Sequence, residues 1–521
     1  MRLPGKRARA LMILGTASHV GKSVLTAALG RILVNKGYRA APFKAQNMSL
    51  NSAATPDGRE IGLAQALQAE ACRIVPRAEM NPILIKPSSD CSAQIVAMGK
   101  VWGQVTAGDY HQRRVEELFP VVVDAYEKLA SEFDVVLLEG AGSPAEINLK
   151  AHDIANMRMA RAASAACLLV GDIDRGGVFA SLFGTVELLE PEERALLRGF
   201  IVNRFRGDAR LLYSGVETIA SRIQLPCVGV VPYLRDLGLD EEDSVSLEER
   251  PCAARAWRTH IDGPSRPLRV GVLAFPYLAN FTDFDALAAE PSVALAFLER
   301  PGEVSGADLL ILPGSKQTVG DLRWLRDRGF EEAIRRFEGL AGVMGICGGM
   351  QMLGRCIEDP EGMETACGSA GERGIGLLPI RTVMREGKVT RIAQGRVRGG
   401  VLFGQPLETP CFRGYEIHLG ETVYEEGARP FAEIEREGEP GVVCDGAIGD
   451  ARAFGTYVHG LFQDDKFRHS FIAAARRAGR LEPAREKVCV AADRERRIDR
   501  LAEHVARSLD MELIESLVRA R

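Results

Sequence analysis

A glycine-rich loop that joins an apolar strand to a helix is the first feature with chemical meaning. The loop, GTASHVGKS at residues 15–23, follows the apolar run ALMIL and precedes a run with helical apolar spacing. Backbone N–H groups in such a loop bind phosphate oxygens, while its lysine reaches the terminal phosphates and its serine can coordinate Mg²⁺. The alternative is a glycine turn that merely starts a helix. We therefore predict an ATP site, whose binding residues are Gly15, Thr16, Gly21, Lys22 and Ser23.

Polar residues at the ends of later apolar runs extend this predicted site. Glu139 ends FDVVLLE and is the second Mg²⁺ ligand that we expect beside Ser23, with a solvated strand-end carboxylate as the alternative. Asp57, in TPDGREIG, is a third candidate ligand or simply part of an Asp-Gly turn. The run VGDIDRGG ends another predicted strand, where an arginine can hold a carboxylate or a transferring phosphoryl group. Its candidate substrate residues are Asp172, Asp174 and Arg175.

A cysteine among small residues is the second feature with chemical meaning. In GVMGICGGMQMLG, at residues 342–354, Cys347 lies between an apolar strand and a helical pattern. This arrangement is typical of a nucleophile elbow, which exposes the sulfur at a helix N-terminus. We expect the oxyanion hole to use the backbone N–H groups of Gly348 and of Gly314 in PGSKQT. The alternative is a buried structural cysteine.

A general base must accompany this thiol. A cysteine with an ordinary pKa near about 8.5 is mostly protonated at neutral pH and needs a neighbour that accepts its proton. His459, in FGTYVHGLF, is the predicted base. His418, in RGYEIHLG, is the competing candidate.

The elements that position these residues alternate along the chain. From residue 10 to about 235, short apolar runs alternate with helical patterns, and a second such set begins at LRVGVLAF. This alternation predicts parallel, doubly wound sheets, which bind ligands beyond the carboxyl ends of their strands. We predict two α/β domains, a P-loop NTPase-like domain at 1–240 and a flavodoxin-like domain at 268–466, joined by a linker at 241–267. The segment 467–521 ends in an amphipathic helix that either packs on the body or binds a partner.

Composition excludes several classes of function. The 521 residues are 46% hydrophobic and 26% charged, and the net charge of −4 gives no general electrostatic reason to bind nucleic acid. No run approaches the roughly 18 apolar residues of a membrane span, and the N-terminal apolar run is too short for a signal peptide. The 11 cysteines form no CxxC pair, which argues against structural zinc. We expect a cytoplasmic protein with neither a nucleic-acid nor a membrane partner.

Resemblances to two known protein families make these predictions more specific. The loop departs from GxxxxGK[ST], because Thr16 occupies the first glycine position, and dethiobiotin-synthetase-like ATPases share this departure. In those ATPases an asparagine placed like Asn203 reads adenine. The surroundings of Cys347 resemble the triad class of glutamine amidotransferases, in which the thiol attacks the glutamine side-chain amide and releases ammonia. That class usually carries His-x-Glu, whereas Leu461 follows here, so the resemblance implies that Glu416 or Asp464 orients His459 or that a dyad acts alone.

Segments from about residue 10 to 510 resemble the cobyric acid synthase family. They are FKAQNMSLNSAATPDGREIGLAQALQAEA at 43–71, NPILIKP, VGDIDRGGVFAS, VNRFRGD and FTDFDAL, the last without a chemical interpretation of its own. The resemblance implies ATP- and glutamine-dependent amidation of the b, d, e and g carboxylates of adenosylcobyrinic acid a,c-diamide, a corrinoid bound by the first domain. Candidate ligands for the corrinoid or the phosphates are Gln46, Asn47, Ser49 and Asn51, with turn residues that cap their own backbone as the alternative.

Two other functions remain as alternatives. Cobyrinic acid a,c-diamide synthase shares both domains but lacks the QNMSLNS segment. A non-catalytic regulatory protein with a P-loop and an amidotransferase-like fold belongs to a different class, and intact Cys347, His459, Lys22 and Glu139 argue against it. Glutaminase activity of the purified chain distinguishes an enzyme from such a regulator.

Overall fold

The structure is a computed structural model that describes residues 7–87, 92–106, 115–234, 257, 263–364, 371–449 and 453–519. The chain forms two compact units. The first comprises Met1–Ser49, Glu60–Glu242 and Arg494–Arg521, and the second comprises Leu50–Arg59 and Asp243–Asp493. Each unit contains a mainly parallel sheet whose strands alternate with helices, so the predicted pair of α/β domains is confirmed.

The boundaries of these units differ from the predicted ones in two places. Leu50–Arg59 belongs to the second unit, although the predicted first domain runs through 1–240. The predicted C-terminal segment 467–521 is divided, because its first helix belongs to the second unit whereas Arg494–Arg521 belongs to the first. An alternating pattern indicates where strands and helices lie but not which core each one joins. Most of the predicted linker at 241–267 lies outside the described residues.

The central sheet of the first unit is entirely parallel. Its strands are buried on both faces, which is the burial that apolar runs bounded by helices require. The phosphate loop, Glu139 and Asp172 all follow the carboxyl ends of these strands and therefore share one edge of the sheet. The strand order is Cys227–Pro232, Leu197–Phe205, Ala166–Asp172, Arg9–Gly15, Val135–Glu139 and Ala40–Phe43.

A smaller four-stranded sheet in the same unit begins with the amide-rich motif. Its strands run in the order Gln46–Met48, Ile83–Pro87, Ser92–Ala97 and Lys100–Thr106, and Glu60–Gly62 is a further short strand. The helices of the unit are Lys22–Asn35, Leu63–Ala71, Ala78–Met80, Val115–Glu132, Lys150–His152, Met157–Ala163, Val178–Glu187, Pro191–Arg194, Ala209–Leu211, Tyr213–Ile223, Val490–Ala506 and Met511–Val518.

The C-terminal helices pack on the first unit, which is the outcome favoured by their amphipathic pattern. The buried residues of Val490–Ala506 share a hydrophobic core with the helix Lys22–Asn35. Arg31, which is fully buried in that helix, binds carboxylate oxygens of Glu495 at 2.6 Å and Asp499 at 2.8 Å. The helix Val490–Ala506 therefore packs against the helix Lys22–Asn35, which begins at the phosphate loop.

The second unit combines a parallel sheet with antiparallel ones. The main sheet has the order Val293–Leu298, Leu268–Leu273, Leu309–Leu312, Gly342–Ile346, Ala453–Thr456 and Ala447–Ile448, and only the last strand is antiparallel. A five-stranded antiparallel sheet has the order Val442–Asp445, Ala432–Arg436, Val389–Val397, Cys411–His418 and Val458–His459. The sequence did not predict this second sheet, because its half-exposed strands lack continuous apolar runs.

Shorter elements complete the second unit. Its other strands are Ser52–Ala54, Cys356–Glu358, Glu372–Arg373, Ile380–Val383, Val401–Leu402, Gln405–Pro406 and Glu421–Tyr424. Its helices are Phe281–Phe284, Asp285–Ala288, Pro301–Gly306, Thr318–Asp327, Phe330–Arg335, Gly348–Leu353, Arg398–Gly400, Leu461–Gln463 and Asp465–Ala478. Within the described part of the chain, no helix combines the length and the apolar character that crossing a bilayer requires.

Candidate functional site

The phosphate loop opens at Thr16 and closes onto the helix Lys22–Asn35. Gly21 has a φ angle of 96°, which favours glycine, and the helix begins at the next residue. A Cβ atom at Gly21 would lie 2.2 Å from Nδ2 of Asn203. That Nδ2 donates a hydrogen bond of 2.8 Å to the carbonyl of Val20. Asn203 therefore lies against the loop, while its contact with adenine stays a prediction.

Lys22 places an ammonium group inside the loop. Its Nζ donates to the carbonyl oxygens of Ala17 at 2.9 Å and Gly142 at 3.0 Å. Gly15 leaves room for this group, because a Cβ atom there would lie 2.9 Å from Nζ. The charge is thus held in position where backbone N–H groups of the loop would meet a bound phosphate.

Glu139 is the buried carboxylate of the nucleotide site. Its Oε1 accepts a hydrogen bond of 2.7 Å from Ser23 Oγ and lies 3.0 Å from Nζ of Lys44. Its Oε2 accepts a hydrogen bond of 2.5 Å from Nε2 of Gln68. A hydroxyl and a carboxylate side by side are oxygen ligands of the kind that Mg²⁺ takes together with substrate phosphates. The residues present therefore fit a Mg²⁺ ion bound with ATP.

Lys44 and Gln68 are members of this cluster that the sequence analysis did not assign. Lys44 directly follows the strand Ala40–Phe43, which neighbours Val135–Glu139 in the sheet. Its place after a parallel strand was the signal that could have identified it. Gln68 lies on the helix Leu63–Ala71, and no local pattern distinguishes it from other helical glutamines. Lys44 beside Glu139, together with Lys22 in the loop, places two ammonium groups where they favour the binding of a phosphate.

The three residues predicted from VGDIDRGG form ion pairs at the same edge. Asp172 accepts a hydrogen bond of 3.2 Å from Arg204 and lies 3.8 Å from Nε of Arg175. Asp174 donates its backbone N–H to Asp172 and pairs with Arg206 at 2.9 Å. Arg175 remains largely exposed, which suits a residue that meets a substrate carboxylate. The substrate role of these residues stays a prediction.

The predicted amide-rich ligands are divided between the two units. Asn47, in the strand Gln46–Met48, donates from Nδ2 to Oε1 of Gln65 at 3.0 Å. Ser49 donates its backbone N–H to Ile85 within the small sheet of the first unit. Asn51 is buried and belongs to the second unit. One contiguous motif therefore contributes to both units.

Asp57 forms part of a turn in the second unit. It accepts a hydrogen bond of 2.5 Å from Thr55 Oγ1 and lies 3.1 Å from Nε of Arg59. The Asp57 side chain is 62% exposed. These contacts match the turn interpretation, and coordination of Mg²⁺ by Asp57 stays a prediction.

Cys347 lies on a strained turn between the strand Gly342–Ile346 and the helix Gly348–Leu353. Its φ angle of 51° and ψ angle of −113° are unusual for a residue with a side chain. Its backbone N–H donates to the carbonyl of Thr456 at 2.8 Å. A Cβ atom at Gly349 would lie 2.0 Å from the carbonyl oxygen of Leu312, so the turn requires glycine there. This geometry is that of a nucleophile elbow.

His459 is held by a buried carboxylate. Its Nδ1 lies 2.7 Å from Oδ2 of Asp283, and Oδ1 of Asp283 accepts the backbone N–H of Gly460 at 2.9 Å. Burial alone would lower the pKa of His459, but the charge of Asp283, the hydrogen bond to it and the neighbouring Cys347 raise that pKa to about 10. A protonated imidazole beside a thiol favours the thiolate. Cys347, His459 and Asp283 thus lie in the arrangement expected of a nucleophile, a base and an orienting carboxylate, and the catalytic roles of Cys347 and His459 stay predictions.

This arrangement corrects the expectation that Glu416 or Asp464 orients His459. Glu416 instead binds Arg436, through two hydrogen bonds of 2.7 and 3.0 Å. Asp464 caps the helix Asp465–Ala478 by accepting two backbone N–H groups. The orienting carboxylate comes from FTDFD, 176 residues before His459, and its acidic residues between phenylalanines were the only local signal.

His418, the competing base, is engaged elsewhere. Its Nε2 lies 3.3 Å from Oε1 of Glu416, and its Nδ1 lies 3.2 Å from the carbonyl of Gly420. Its ring stacks on Tyr457 with 3.8 Å between the ring centroids. Both ring nitrogens and one ring face of His418 therefore have partners, whereas His459 has the contact with Asp283 that favours it as the predicted base.

The predicted oxyanion residues lie close to His459 and Cys347. A Cβ atom at Gly314 would lie 2.9 Å from Cε1 of His459, so only glycine lets this loop approach the base. A Cβ atom at Gly348 would lie 3.0 Å from the backbone nitrogen of Ser315. The loop that starts at Gly314 therefore lies against the first residue after Cys347, as a two-sided oxyanion hole requires.

Comparisons with known proteins match each of the two units to a known domain family. Residues 269–467 match the CobB/CobQ-like glutamine amidotransferase domain, and residues 11–246 match the CobQ/CobB/MinD/ParA nucleotide binding domain. The cobyric acid synthase of Moorella thermoacetica is 48% identical over 510 residues, which cover 97% of this chain and 96% of that protein. The cobyric acid synthase of Syntrophobacter fumaroxidans is 46% identical and covers 98% of this chain and 99% of its own. The cobyric acid synthase of Salmonella arizonae is 44% identical and covers 98% of both chains. These relatives show that the chain belongs to the cobyric acid synthase family.

Proposed function

We propose that this chain uses ATP and glutamine to convert the b, d, e and g carboxylates of adenosylcobyrinic acid a,c-diamide into amides. The observation that carries the proposal is the presence, in one chain, of the Lys22 phosphate loop and the Cys347, His459 and Asp283 group. A nucleotide site activates a carboxylate, and a glutamine-cleaving site supplies the ammonia that replaces phosphate. Neither half alone defines an amide ligase.

In the first unit, the residues at the sheet edge act on ATP and the carboxylate. Lys22 neutralises charge on the terminal phosphates, and Lys44, 3.0 Å from Glu139, adds a second ammonium group beside them. Bound with ATP, Mg²⁺ would neutralise charge on the β- and γ-phosphate oxygens, and Ser23 and Glu139 are the oxygen ligands available for it. The substrate carboxylate attacks the γ-phosphorus, ADP leaves, and a carboxyl phosphate forms. Ammonia then adds to its carbonyl carbon and displaces phosphate.

In the second unit, Cys347 breaks the glutamine amide. The thiolate attacks the side-chain carbonyl carbon, and the negative oxygen accepts hydrogen bonds from the backbone N–H groups of Gly348 and Gly314. His459 protonates the departing nitrogen, so ammonia leaves and a thioester remains. Water, deprotonated by the same imidazole, attacks the thioester and releases glutamate. Asp283 holds the imidazole in its orientation during both proton transfers.

The test is product analysis with the purified chain. Incubation with ATP, Mg²⁺, glutamine and adenosylcobyrinic acid a,c-diamide is expected to replace four carboxyl groups by amides, with one ADP and one glutamate released per amide. Mass spectrometry counts the amides. Amidation of only two groups, and only when cobyrinic acid is supplied, would support the a,c-diamide synthase instead.

Asp283→Asn is expected to lower glutamine-dependent kcat at least about a hundredfold, because the imidazole loses the charge that keeps it protonated and oriented. The alkaline limb of the pH profile of glutaminase kcat/KM should move to lower pH, since removal of Asp283 removes the main influence that raises the pKa of His459. Steady-state glutaminase assays across pH measure both effects.

Asp464→Asn is the matched control for this variant. Asp464 caps a helix near His459 without contacting its ring, so the control should retain the wild-type pH profile. Retained ammonium-dependent amidation shows that the Asp283→Asn protein is folded. Loss of glutaminase in the control alone would return the orienting role to Asp464.

Glu139→Gln is expected to raise the Mg²⁺ concentration required for ammonium-dependent amidation by about tenfold or more, because a charged oxygen ligand becomes a neutral one. Titration of the reaction with Mg²⁺ measures the shift. Asp57→Asn is the comparison, since it makes the same chemical change at the other candidate carboxylate. A shift in Asp57→Asn without one in Glu139→Gln would transfer the ligand role to Asp57.

A further inference from the structure

Two fully buried glutamines lie on the helix Leu63–Ala71 of the first unit. Gln65 and Gln68 are three residues apart and therefore share one face of this helix. Long polar side chains are seldom buried in this way unless their polar atoms find hydrogen-bond partners. In the part of the chain that the structure describes, Nε2 of Gln65 and Oε1 of Gln68 have none. A donor and an acceptor are thus left unpaired on one buried helical face.

Gln68 faces the nucleotide site. Its Nε2 donates a hydrogen bond of 2.5 Å to Oε2 of Glu139, whose other oxygen accepts the hydrogen bond from Ser23. Because a carboxylate oxygen can only accept, the nitrogen of the Gln68 amide must face Glu139 and its oxygen must face elsewhere. That unpaired oxygen suits a water molecule of the kind that Mg²⁺ retains beside carboxylate and phosphate ligands.

Gln65 faces the amide-rich segment. Its Oε1 accepts a hydrogen bond of 3.0 Å from Nδ2 of Asn47, in the strand Gln46–Met48. Gly62 permits this contact, since a Cβ atom there would lie 2.6 Å from Oε1 of Gln65 and 2.7 Å from Nδ2 of Asn47. The contact orients the Gln65 amide and leaves its N–H group without an acceptor. A buried N–H group in this state costs free energy, and a ligand that supplies the acceptor removes that cost.

The Gln65 N–H group lies between two parts of the predicted site. One helical turn away, Gln68 contacts Glu139 and thereby the residues that meet ATP. At Gln65 itself, Asn47 is one of the candidate ligands of the corrinoid. A carboxylate that attacks the γ-phosphorus must reach this place, because it belongs to the corrinoid and has to approach the nucleotide. In a site shielded from water, an N–H donor binds an anionic oxygen more strongly than a neutral one.

We propose that Gln65 binds the corrinoid carboxylate that is about to be amidated, with Nε2 as the donor. The inference rests on the proposed function and adds to it a residue that distinguishes a carboxylate from the product amide. Gln65 holds one carboxylate oxygen while the other attacks the γ-phosphorus. The new O–P bond forms as the bond to the β,γ-bridging oxygen breaks, and ADP leaves with that electron pair. Once the group is a neutral amide, the hydrogen bond weakens and the next carboxylate can replace it.

The experiment measures binding without ATP or Mg²⁺, so its result does not depend on turnover. Ultrafiltration, read by the visible absorbance of the corrin ring, gives the Kd of adenosylcobyrinic acid a,c-diamide and of adenosylcobyric acid, in which the four target groups are amides. Gln65→Glu keeps the acceptor for Asn47 but replaces the N–H donor by an oxygen that is ionised at alkaline pH. The preference for the diamide over adenosylcobyric acid should fall by about tenfold or more, because the new carboxylate repels a carboxylate and accepts an amide N–H.

Gln224→Glu is the matched control. Gln224 is exposed directly after the helix Tyr213–Ile223 of the same unit. The same change of charge at that surface position should leave both Kd values at their wild-type levels, because solvent screens it.

Two results with Gln65→Glu would overturn the inference. One is a wild-type preference between the two corrinoids, and the other is an equal loss of affinity for both, which a purely structural role predicts. If Gln65→Glu does not fold, Gln65→Met deletes the N–H donor without adding a charge, and the preference should then fall by about threefold or more. An unchanged preference in that variant would contradict the inference in the same way.

The proposed function is tested separately by the wild-type chain. A wild-type chain that binds neither corrinoid would contradict the proposed function itself. Wild-type amidation together with an unchanged preference in the Gln65 variants would overturn the role of Gln65 alone.

Discussion

Cys347→Ser is expected to abolish glutamine-dependent amidation while amidation with ammonium salts continues at the wild-type rate. Serine fits the strained turn, because it adds no atoms and the backbone contacts of Cys347 stay intact. Its hydroxyl ionises far less readily than a thiol, so even the raised pKa of His459 cannot supply a nucleophile, and the rate should fall at least about 10³-fold. The measurement is amide formation with each nitrogen donor.

Cys356→Ser is the control for this substitution. Cys356 lies in the same unit, at the start of the strand Cys356–Glu358, outside the elbow and without a contact to His459 in the described structure. It should retain glutamine use. A Cys347→Ser protein that is inactive with both donors, although folded, would contradict the division of labour between the units.

Lys22→Met is expected to remove amidation with either nitrogen donor. Methionine keeps the length and the apolar stem of the side chain but deletes the ammonium group that contacts the loop carbonyls. Without this charge the terminal phosphates lose their main counter-charge as the carboxylate attacks, and the rate should fall at least about 10²-fold. Basal glutaminase should persist, because Cys347 chemistry belongs to the other unit.

Lys36→Met tests whether any lysine near this helix would have the same effect. Lys36 follows the helix Lys22–Asn35 at its opposite end and pairs with Glu515 at the surface. An exposed pair of this kind contributes little, so both activities should stay at wild-type levels. Substantial amidation by Lys22→Met would remove the basis for the phosphate-loop assignment.

Contiguous motifs could be predicted from the sequence because their geometry depends on residues that are close together in the chain. The phosphate loop and the Cys347 elbow each consist of a strand, a turn of small residues and a helix, and all their contacts arise within a few residues. Parallel sheets place the ends of their strands at one edge, so the sequence predicts that Glu139 lies beside the phosphate loop, and in the structure it accepts a hydrogen bond from Ser23. The same rule applies to Lys44, which directly follows the parallel strand Ala40–Phe43.

Contacts between residues far apart in the sequence could not be predicted from local motifs. Asp283 orients His459 from 176 residues away, and two acidic residues nearer in sequence were the more natural candidates. The alternation of Val389–Val397 is too irregular to distinguish a half-exposed strand from a loop, so the sequence did not predict the antiparallel sheet that contains Glu416. Spacing along a chain carries no information about contacts that depend on the packing of two separate layers.

The sequence by itself determined the two α/β domains, the phosphate loop and the turn at Cys347, because each follows from hydrophobic periodicity and from turns that only small residues permit. Only the tertiary structure decided which carboxylate contacts His459, which core includes the helix Val490–Ala506, and that Leu50–Arg59 belongs to the second unit. Those outcomes depend on complementary burial and on single directed hydrogen bonds, such as that from Ser52 to Asn280, and these arise only when distant segments pack together.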